Sequence, residues 1–422
     1  MTPQDTSFPN PSAGSENRFS AVCRVLDEAI AAHAFPGCAF GVLAGGEVVL
    51  CGARGRFTYD ESSRAVTQET VYDVASLTKV AATTFAAMLL HQRGRLDLAT
   101  PLGELLPGFT EKRAASAISL SACGTGGTVD PTAGGAAGAV GRTAGAAGGR
   151  VTLGHLLAHN SGLPGYVEFF RAAATPEAVL NACLELPLEA APGTRAEYSD
   201  PGFILLGKAL EALTGEPLAI WVQREIFLPL SLKATGFCPA PGTWGSIPPT
   251  EEDITLRHRR IQGEVQDENA WLLGGVAGHA GVFSCVGDLL RIAGEILAAV
   301  AGRAEARLFN ASTVELFSQR QAPPDSSRAL GWDTPSENSS AGRYFSPHSI
   351  GHLGFSGCSL WIDLEAGIAA ALLTNRTWPD RRSQLIRTVR PQFHDAVRQA
   401  LSTAPRFAPP GEASSAENSD RV

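Results

Sequence analysis

"VYDVASLTKVAATTFAAMLL" spans residues 71–90 and sets Ser76 three residues before Lys79, at the front of an apolar run with helical spacing. Residues i and i+3 share a helix face, so the Ser76 hydroxyl and the Lys79 amine can meet. A serine hydroxyl is a weak nucleophile until a base removes its proton. A lysine partly desolvated near a helix N-terminus has its charged form disfavoured, which suits it to act as that base or to shape the proton network. The N–H groups of the same turn point toward a developing oxyanion. Alone the pair is weak evidence, because Ser-x-x-Lys arises by chance in most chains of this length.

Two further stretches change its weight. "EYSDPG" (197–202) puts Tyr198 and Asp200 in a loop, and a tyrosine held near a lysine can share a proton with the serine. "GHLGFSG" (351–357) stands at the start of an expected strand. An edge strand beside a nucleophile offers a backbone N–H to the oxyanion and pairs with an extended substrate.

The whole chain narrows the function classes. Its 422 residues are enough for two lobes. With 44% hydrophobic and 18% charged residues the composition is globular. A net charge of −8, with only a short "RHRR" at Arg257–Arg260, argues against nucleic acid as partner. No apolar run approaches the roughly 18 residues of a membrane span. The N-terminus "MTPQDTSFPNPSAGSENRFS" lacks a charged-then-apolar signal. The eight cysteines are scattered without a CxxC pair, as expected of buried small residues in a reducing compartment. Cytoplasm is the expectation, although a start codon assigned too late would hide an export signal.

Along the chain, residues 1–16 and 404–422 read as disordered tails around one domain at 17–403. Residues 121–150 are about a third glycine, with alanine next, and read as a flexible insertion. Strand signals flank Gly45-Gly46 near one end and Glu365-Ala366-Gly367 near the other, with a mainly helical stretch between. An α/β (α+β) fold follows: an antiparallel sheet built from N- and C-terminal strands, flanked by terminal helices, with an inserted mainly helical lobe.

In order and content, "SLTKV", "HLLAHNSGLP", "APGTRAEYSDPGFILLG", "DENAWLLGGVAGHAGVFS" and "GHLGFSGCSLWID" resemble the serine β-lactamase and penicillin-binding-protein superfamily, on its class C-like branch with D-alanyl-D-alanine carboxypeptidases and esterases. The resemblance runs from about residue 18 to 400. It implies an acylated Ser76, a proton-handling pair of Lys79 and Tyr198, and an oxyanion hole from the N–H groups of Ser76 and Phe355. It places Asp200 where class C lactamases usually carry an asparagine that contacts the substrate amide. It places His352-Leu353-Gly354 where they carry Lys-Thr-Gly, so these three join Asp200 as expected substrate-binding residues. Here the cation becomes a titratable imidazole, the hydroxyl becomes Leu353, and Asp200 adds a negative charge. These departures disfavour a carboxylate-bearing β-lactam or acyl-D-Ala-D-Ala substrate. The expectation is a serine hydrolase acting on a small-molecule or peptide-like ester or amide, with no metal and no cofactor. A true β-lactamase or D,D-peptidase is the alternative, and a non-catalytic ligand-binding homologue is the alternative of another class.

Other residues carry competing readings. His279 sits in a glycine-rich loop, where a structural hydrogen bond outweighs a place in the cleft. His155 and His159 have metal-ligand spacing but no accompanying glutamate pattern. Trp271 reads as core packing as readily as acyl pocket. The "RHRR" run reads as a solvated loop. Asp267 and Glu268 are adjacent and point apart on regular structure, which argues against a paired acid and base.

Overall fold

A computed structural model describes residues 18–109 and 149–402. The expected tails and nearly all of the expected insertion lie outside the described residues. Helix α1 (Ser20–Ala31) leads into strand β1 (Gly37–Ala44) and strand β2 (Glu47–Gly55). Gly45 and Gly46 join the strands at φ +63° and +93°, the left-handed geometry that a tight hairpin demands and glycine supplies. Strand β3 (Tyr72–Asp73) then feeds the turn bearing Ser76, and helix α2 (Phe85–Gln92) closes at Gly94, whose φ of +66° makes it the expected cap.

The middle of the chain contains helix α3 (Asp200–Thr214), but it is less purely helical than its composition suggests. Strands β4 (Gly236–Phe237), β5 (Glu251–Asp253), β6 (Arg259–Ile261) and β7 (Val282–Ser284) punctuate it. Strands of two or three residues are too short to leave a period-two signature. In the β5–β6 hairpin the solvated reading of "RHRR" fails at Arg257, which pairs with Asp253 with side chains 1% exposed each, while His258, Arg259 and Arg260 are exposed. Helix α4 (Val286–Val300), strands β8 (Ser349–Leu353), β9 (Ser359–Asp363) and β10 (Ile368–Thr374), and helix α5 (Ile386–Ser402) follow among the described residues.

The main sheet runs β2-β1-β10-β9-β8, so strands from the two ends of the chain meet at its centre, with Cys38 opposite Thr374. Alternation of side chains gives each strand two faces. Phe40, Val42, Trp361, Ala370 and Leu372 face α1 and α5, where Val22, Leu26, Phe393 and Val397 complete one core. Ala39, Leu43, Ala369, Ala371 and Leu373 face α4 and the helical lobe in a second, larger core. Gly41 lets α4 approach: a Cβ there would sit 2.8 Å from Leu290 Cδ1. The sheet is thus fixed from both sides, and β8, its edge, is free to form one wall of a cleft.

Candidate active site

The turn before Ser76 is held in an unusual shape. Ala75 has φ +48°, left-handed geometry that a residue with a Cβ rarely adopts. The Asp73 carboxylate secures it, accepting from Ala75 N–H at 2.8 Å and from Gln266 N–H at 2.7 Å. Ser76 occupies a single 3₁₀ turn, Ala75–Leu77, followed by a wider π turn, Lys79–Thr84, before α2 begins. The sequence reads as one regular helix, and the widened turns are the departure. Such turns cluster at functional sites because they re-aim side chains that i→i+4 spacing would misplace.

Lys79 is completely buried. Its Nζ donates to Ser76 Oγ at 3.1 Å, Asp200 Oδ1 at 2.6 Å and the His279 carbonyl at 3.1 Å. An ammonium has three N–H groups, and each has an acceptor here. Burial opposes the charge, but the Asp200 carboxylate outweighs it, with Tyr198 adding to the effect, and the Lys79 pKa is raised. The expectation of a lysine with a disfavoured charge is therefore corrected: Lys79 rests as an ammonium. The reason lies in Asp200, 121 residues away in sequence, which is also not the loop residue expected but the first residue of α3.

Tyr198 completes the cluster. Its hydroxyl interacts with Lys79 and Ser76, and burial raises its pKa against the opposing pull of Lys79, so it stays a phenol. Of the two spaced histidines, His159 explains how it is held. His159 Nδ1 accepts from Ser199 N–H at 3.0 Å, and its ring lies 4.6 Å from the Tyr198 ring. His155 instead closes a capping box with Thr152 at a short helix, Leu153–Leu157. Each histidine is spent on backbone organisation. Ser199 caps α3 by accepting from Gly202 N–H at 3.0 Å.

The opposite wall is the end of β8. His352 is buried, and its Nδ1 lies 2.8 Å from the Leu353 carbonyl. Burial, with Lys79 and Arg328 adding to it, holds its pKa well below the ordinary imidazole value, so the ring is neutral. The triplet ends a strand instead of starting one, which places Phe355 in the turn beyond β8. Gly354 is required there: a Cβ would sit 2.4 Å from the Val74 carbonyl. Two ties fix this turn beside Ser76. Ser356 Oγ donates to the Asp73 carbonyl at 2.8 Å, and Arg390 donates to the Gly354 and Cys358 carbonyls at 2.6 and 2.9 Å. The Phe355 N–H has no acceptor among the described residues.

Between these walls lies a cleft of about 760 Å³. It is lined by Ser76, Tyr198, Asp200, His352, Leu353, Gly354 and Phe355, with Lys79 directly beneath. His279 is not among the lining residues: its Nε2 meets Asp267 Oδ1 at 2.9 Å, and burial is outweighed by that contact, so Asp267 is held at about 2. Glu268 is likewise committed, to Arg381 at 2.8 Å. Trp271 stays outside the cleft, with the Arg257 guanidinium 5.5 Å from its ring. Sequence reasoning missed Asp73, Tyr166, Arg328, Arg376 and Arg387. Of these only Asp73, three residues before the serine, had a positional signal; the others reach the site through tertiary folding.

A family model described as Beta-lactamase matches residues 22–414. The N-acetylmuramyl-L-alanine amidase of Bacillus subtilis (strain 168) is 29% identical over 398 residues, which cover 86% of this chain and 82% of the relative. A putative D-alanyl-D-alanine carboxypeptidase of Salmonella typhimurium is 28% identical over 335 residues, covering 74% and 70%. Among solved structures, EstCE1, a hydrolase with promiscuous acyltransferase activity, has a TM-score of 0.68 at 21% identity, over 92% of this chain and 100% of its own. A penicillin-binding protein homologue from Caulobacter crescentus has a TM-score of 0.67 at 15% identity, over 94% and 100%. These structures share the fold, and the matched span holds both walls of the cleft. The chain belongs to the β-lactamase family of serine hydrolases.

Proposed function

We propose that the protein cleaves an ester or amide through an acyl intermediate on Ser76, with Lys79 and Tyr198 handling protons. The observation that carries this reading is the Lys79 ammonium, which bridges Ser76 Oγ at 3.1 Å and Asp200 at 2.6 Å. With its three hydrogens committed, Lys79 accepts the serine proton only after passing one to Asp200 along the short contact. In a buried site the neutral amine and carboxylic acid lie closer in energy to the ion pair than they do in water. Ser76 Oγ then bonds to the substrate carbonyl carbon as its proton moves to Lys79. The N–H groups of Ser76 and Phe355 receive the oxyanion. The bond from the carbonyl carbon to the leaving group breaks as Tyr198 protonates that group and regains a proton from Lys79. Water then adds to the acyl carbon, gives a proton to the Lys79–Tyr198 pair, and the acid leaves as Ser76 takes its proton back. The scheme calls on no metal or cofactor.

The sequence relatives favour a peptide-like amide as substrate, since their names are those of an amidase and a putative carboxypeptidase. The intact trio of Ser76, Lys79 and Tyr198 weighs against a non-catalytic homologue. A neutral His352 and an apolar Leu353 weigh against a carboxylate held at the strand triplet, as a β-lactam requires. Among the described residues no helix is long and apolar enough to cross a membrane. A cytoplasmic location belongs to this proposal and rests on the scattered cysteines.

The test pairs a serine-directed fluorophosphonate with p-nitrophenyl ester, acyl-peptide amide and fluorescent penicillin substrates. Labelling and turnover are expected, both absent in Ser76→Ala. Full labelling of that variant would remove Ser76 from its role, and stable penicillin labelling without turnover would favour a binding protein.

A further inference from the structure

We propose that His352 accepts a hydrogen bond from an uncharged N–H or O–H of the substrate, so that the β8 wall of the cleft selects a neutral donor. This names a substrate class for the acyl-serine chemistry above and rests on that reading. A carbonyl oxygen can only accept, so the 2.8 Å contact between His352 Nδ1 and the Leu353 carbonyl places a proton on Nδ1. Burial, with Lys79 and Arg328 adding to it, keeps the ring neutral. A neutral imidazole has one N–H, so Nε2 is left with a lone pair and can only accept.

That acceptor has nothing to accept from. His352 lines the cleft, and among the described residues its Nε2 is the one buried side-chain polar atom of the lining without a hydrogen-bond partner. The Tyr198 ring is 5.7 Å away, but its hydroxyl interacts with Lys79 and Ser76 instead. A bare buried acceptor is costly, and a ligand that brings the missing N–H or O–H removes the cost. A carboxylate cannot do so, because it has only acceptors to offer.

The surroundings also set the charge of the donor. Lys79 and Arg328 both act on the imidazole, with Arg390 a further cation, and the Arg328 guanidinium lies 5.2 Å from the Tyr198 ring centroid. Two carboxylates of the lining, Asp200 and Asp333, face Lys79 and Arg328 at 2.6 and 3.8 Å and are not free to hold another cation. A potential that denies His352 its second proton disfavours a substrate ammonium in the same place. An amide N–H or a hydroxyl meets no such penalty and completes Nε2 equally well.

The experiment compares kcat/KM for esters of matched shape, each divided by the ester's own rate with hydroxide. On the acyl side, p-nitrophenyl N-acetylglycinate and p-nitrophenyl 4-oxopentanoate differ by an amide N–H against a methylene. On the leaving-group side, 4-(hydroxymethyl)phenyl, 4-(aminomethyl)phenyl and 4-ethylphenyl butyrate present a hydroxyl, an ammonium and a methyl. The expected result is a preference of about tenfold for a neutral donor over its donorless partner on at least one side, with the ammonium ester no better than the ethyl one. His352→Asn keeps an N–H for the Leu353 carbonyl and withdraws the distal acceptor, so it should bring that preference close to unity. Because His352 is buried, the tautomer is also read in the wild-type protein, by nitrogen NMR of its imidazole rings, where His352 should carry its proton on Nδ1 with Nε2 bare. A proton on Nε2, a preference for the ammonium, no donor preference on either side, or one that survives in folded His352→Asn overturns the proposal. Ser76-dependent hydrolysis of 4-ethylphenyl butyrate, measured alongside, separates those outcomes from failure of the acyl-serine reading.

Discussion

Two ion pairs in this molecule look alike by burial and differ in what surrounds them. In the β5–β6 hairpin, Asp253 accepts from the N–H groups of Thr255, Leu256 and Arg257 as well as the Arg257 side chain, which itself donates to the Val265 and Gln266 carbonyls. Every strong donor and acceptor has a fixed partner. Burial opposes the Asp253 charge, but these contacts outweigh it and hold the carboxyl well below the usual range. In the cleft, Lys79 has full use of its three hydrogens, yet one of its partners is Ser76, the proposed nucleophile, and another is a carboxylate that itself lines the cleft. The first pair has nowhere to send a proton. The second has spare acceptor capacity and a reacting atom within reach, and that is the physical difference between a structural clamp and a proton network.

The comparison breaks most visibly if each pair is emptied of its cation. Lys79→Met fills the buried space without a charge and should lower kcat/KM by about four orders of magnitude, because the serine loses the amine beside it. Arg257→Met should leave Asp253 buried and unpaired, at a cost of about 3–5 kcal/mol in folding free energy. Urea unfolding beside ester kinetics on both variants separates the two. A Lys79→Met protein that keeps wild-type turnover, or an Arg257→Met protein of unchanged stability, would dissolve the distinction.

Asp200→Asn sharpens it. Without the carboxylate, burial of Lys79 is no longer outweighed, and its pKa falls. Activity then requires a neutral Lys79, so the acidic limb of the kcat/KM profile should move to higher pH than in the wild type, where the pair needs only an ionised Asp200. Rates measured from pH 5 to 10 show the limb directly. An unmoved limb would mean that Asp200 does not receive the proton.

A third carboxylate lies between the two cases. Asp73 is buried, accepts two backbone N–H groups and forms no ion pair among the described residues. Burial outweighs those hydrogen bonds and pushes its pKa up to about 6. A raised carboxyl favours the folded state in its protonated form, so its stabilisation is present below about pH 4 and is lost as pH rises through about 6. The swing is on the order of 2–3 kcal/mol. Asp73→Asn removes it, so the stability difference between variant and wild type should move in favour of the variant from pH 4 to pH 7, whatever the lost hydrogen bond costs at both. A difference that is flat across that range would place the ionisation of Asp73 elsewhere.

The sequence made one side of the site legible and hid the other. Ser76 and Lys79 are local neighbours, Tyr198 follows a loop signal, and the family phrases set all three in order. The sheet was readable from the glycine turn at Gly45-Gly46 and the strand signals at both ends. The charge on Lys79 was not readable, because it depends on a carboxylate 121 residues away and on complete burial. The π turn leaves no mark in an apolar run, where every side chain is buried. Arg376 and Arg387 stand among ordinary surface-like residues of the C-terminal segment, and only folding brings them to the cleft.

The smallest expected effect concerns the triplet. Rebuilding a cation and a hydroxyl by His352→Lys with Leu353→Thr looks, from sequence, like a way to restore a carboxylate contact, since a charged hydrogen bond is worth roughly 1.5–3 kcal/mol. The structure lowers that expectation. His352 is 3% exposed, and Lys79 and Arg328 already disfavour positive charge at its ring. A lysine there would be desolvated and would face two cations, so its own charge would be suppressed. The ratio of kcat/KM for a carboxylate-bearing β-lactam to that for an uncharged p-nitrophenyl ester should therefore rise by less than about tenfold. Adding Asp200→Asn should raise it further by removing a like charge from the lining, at the cost of turnover toward both substrates. A hundredfold rise in the double variant alone would show that the strand triplet faces the substrate carboxylate after all.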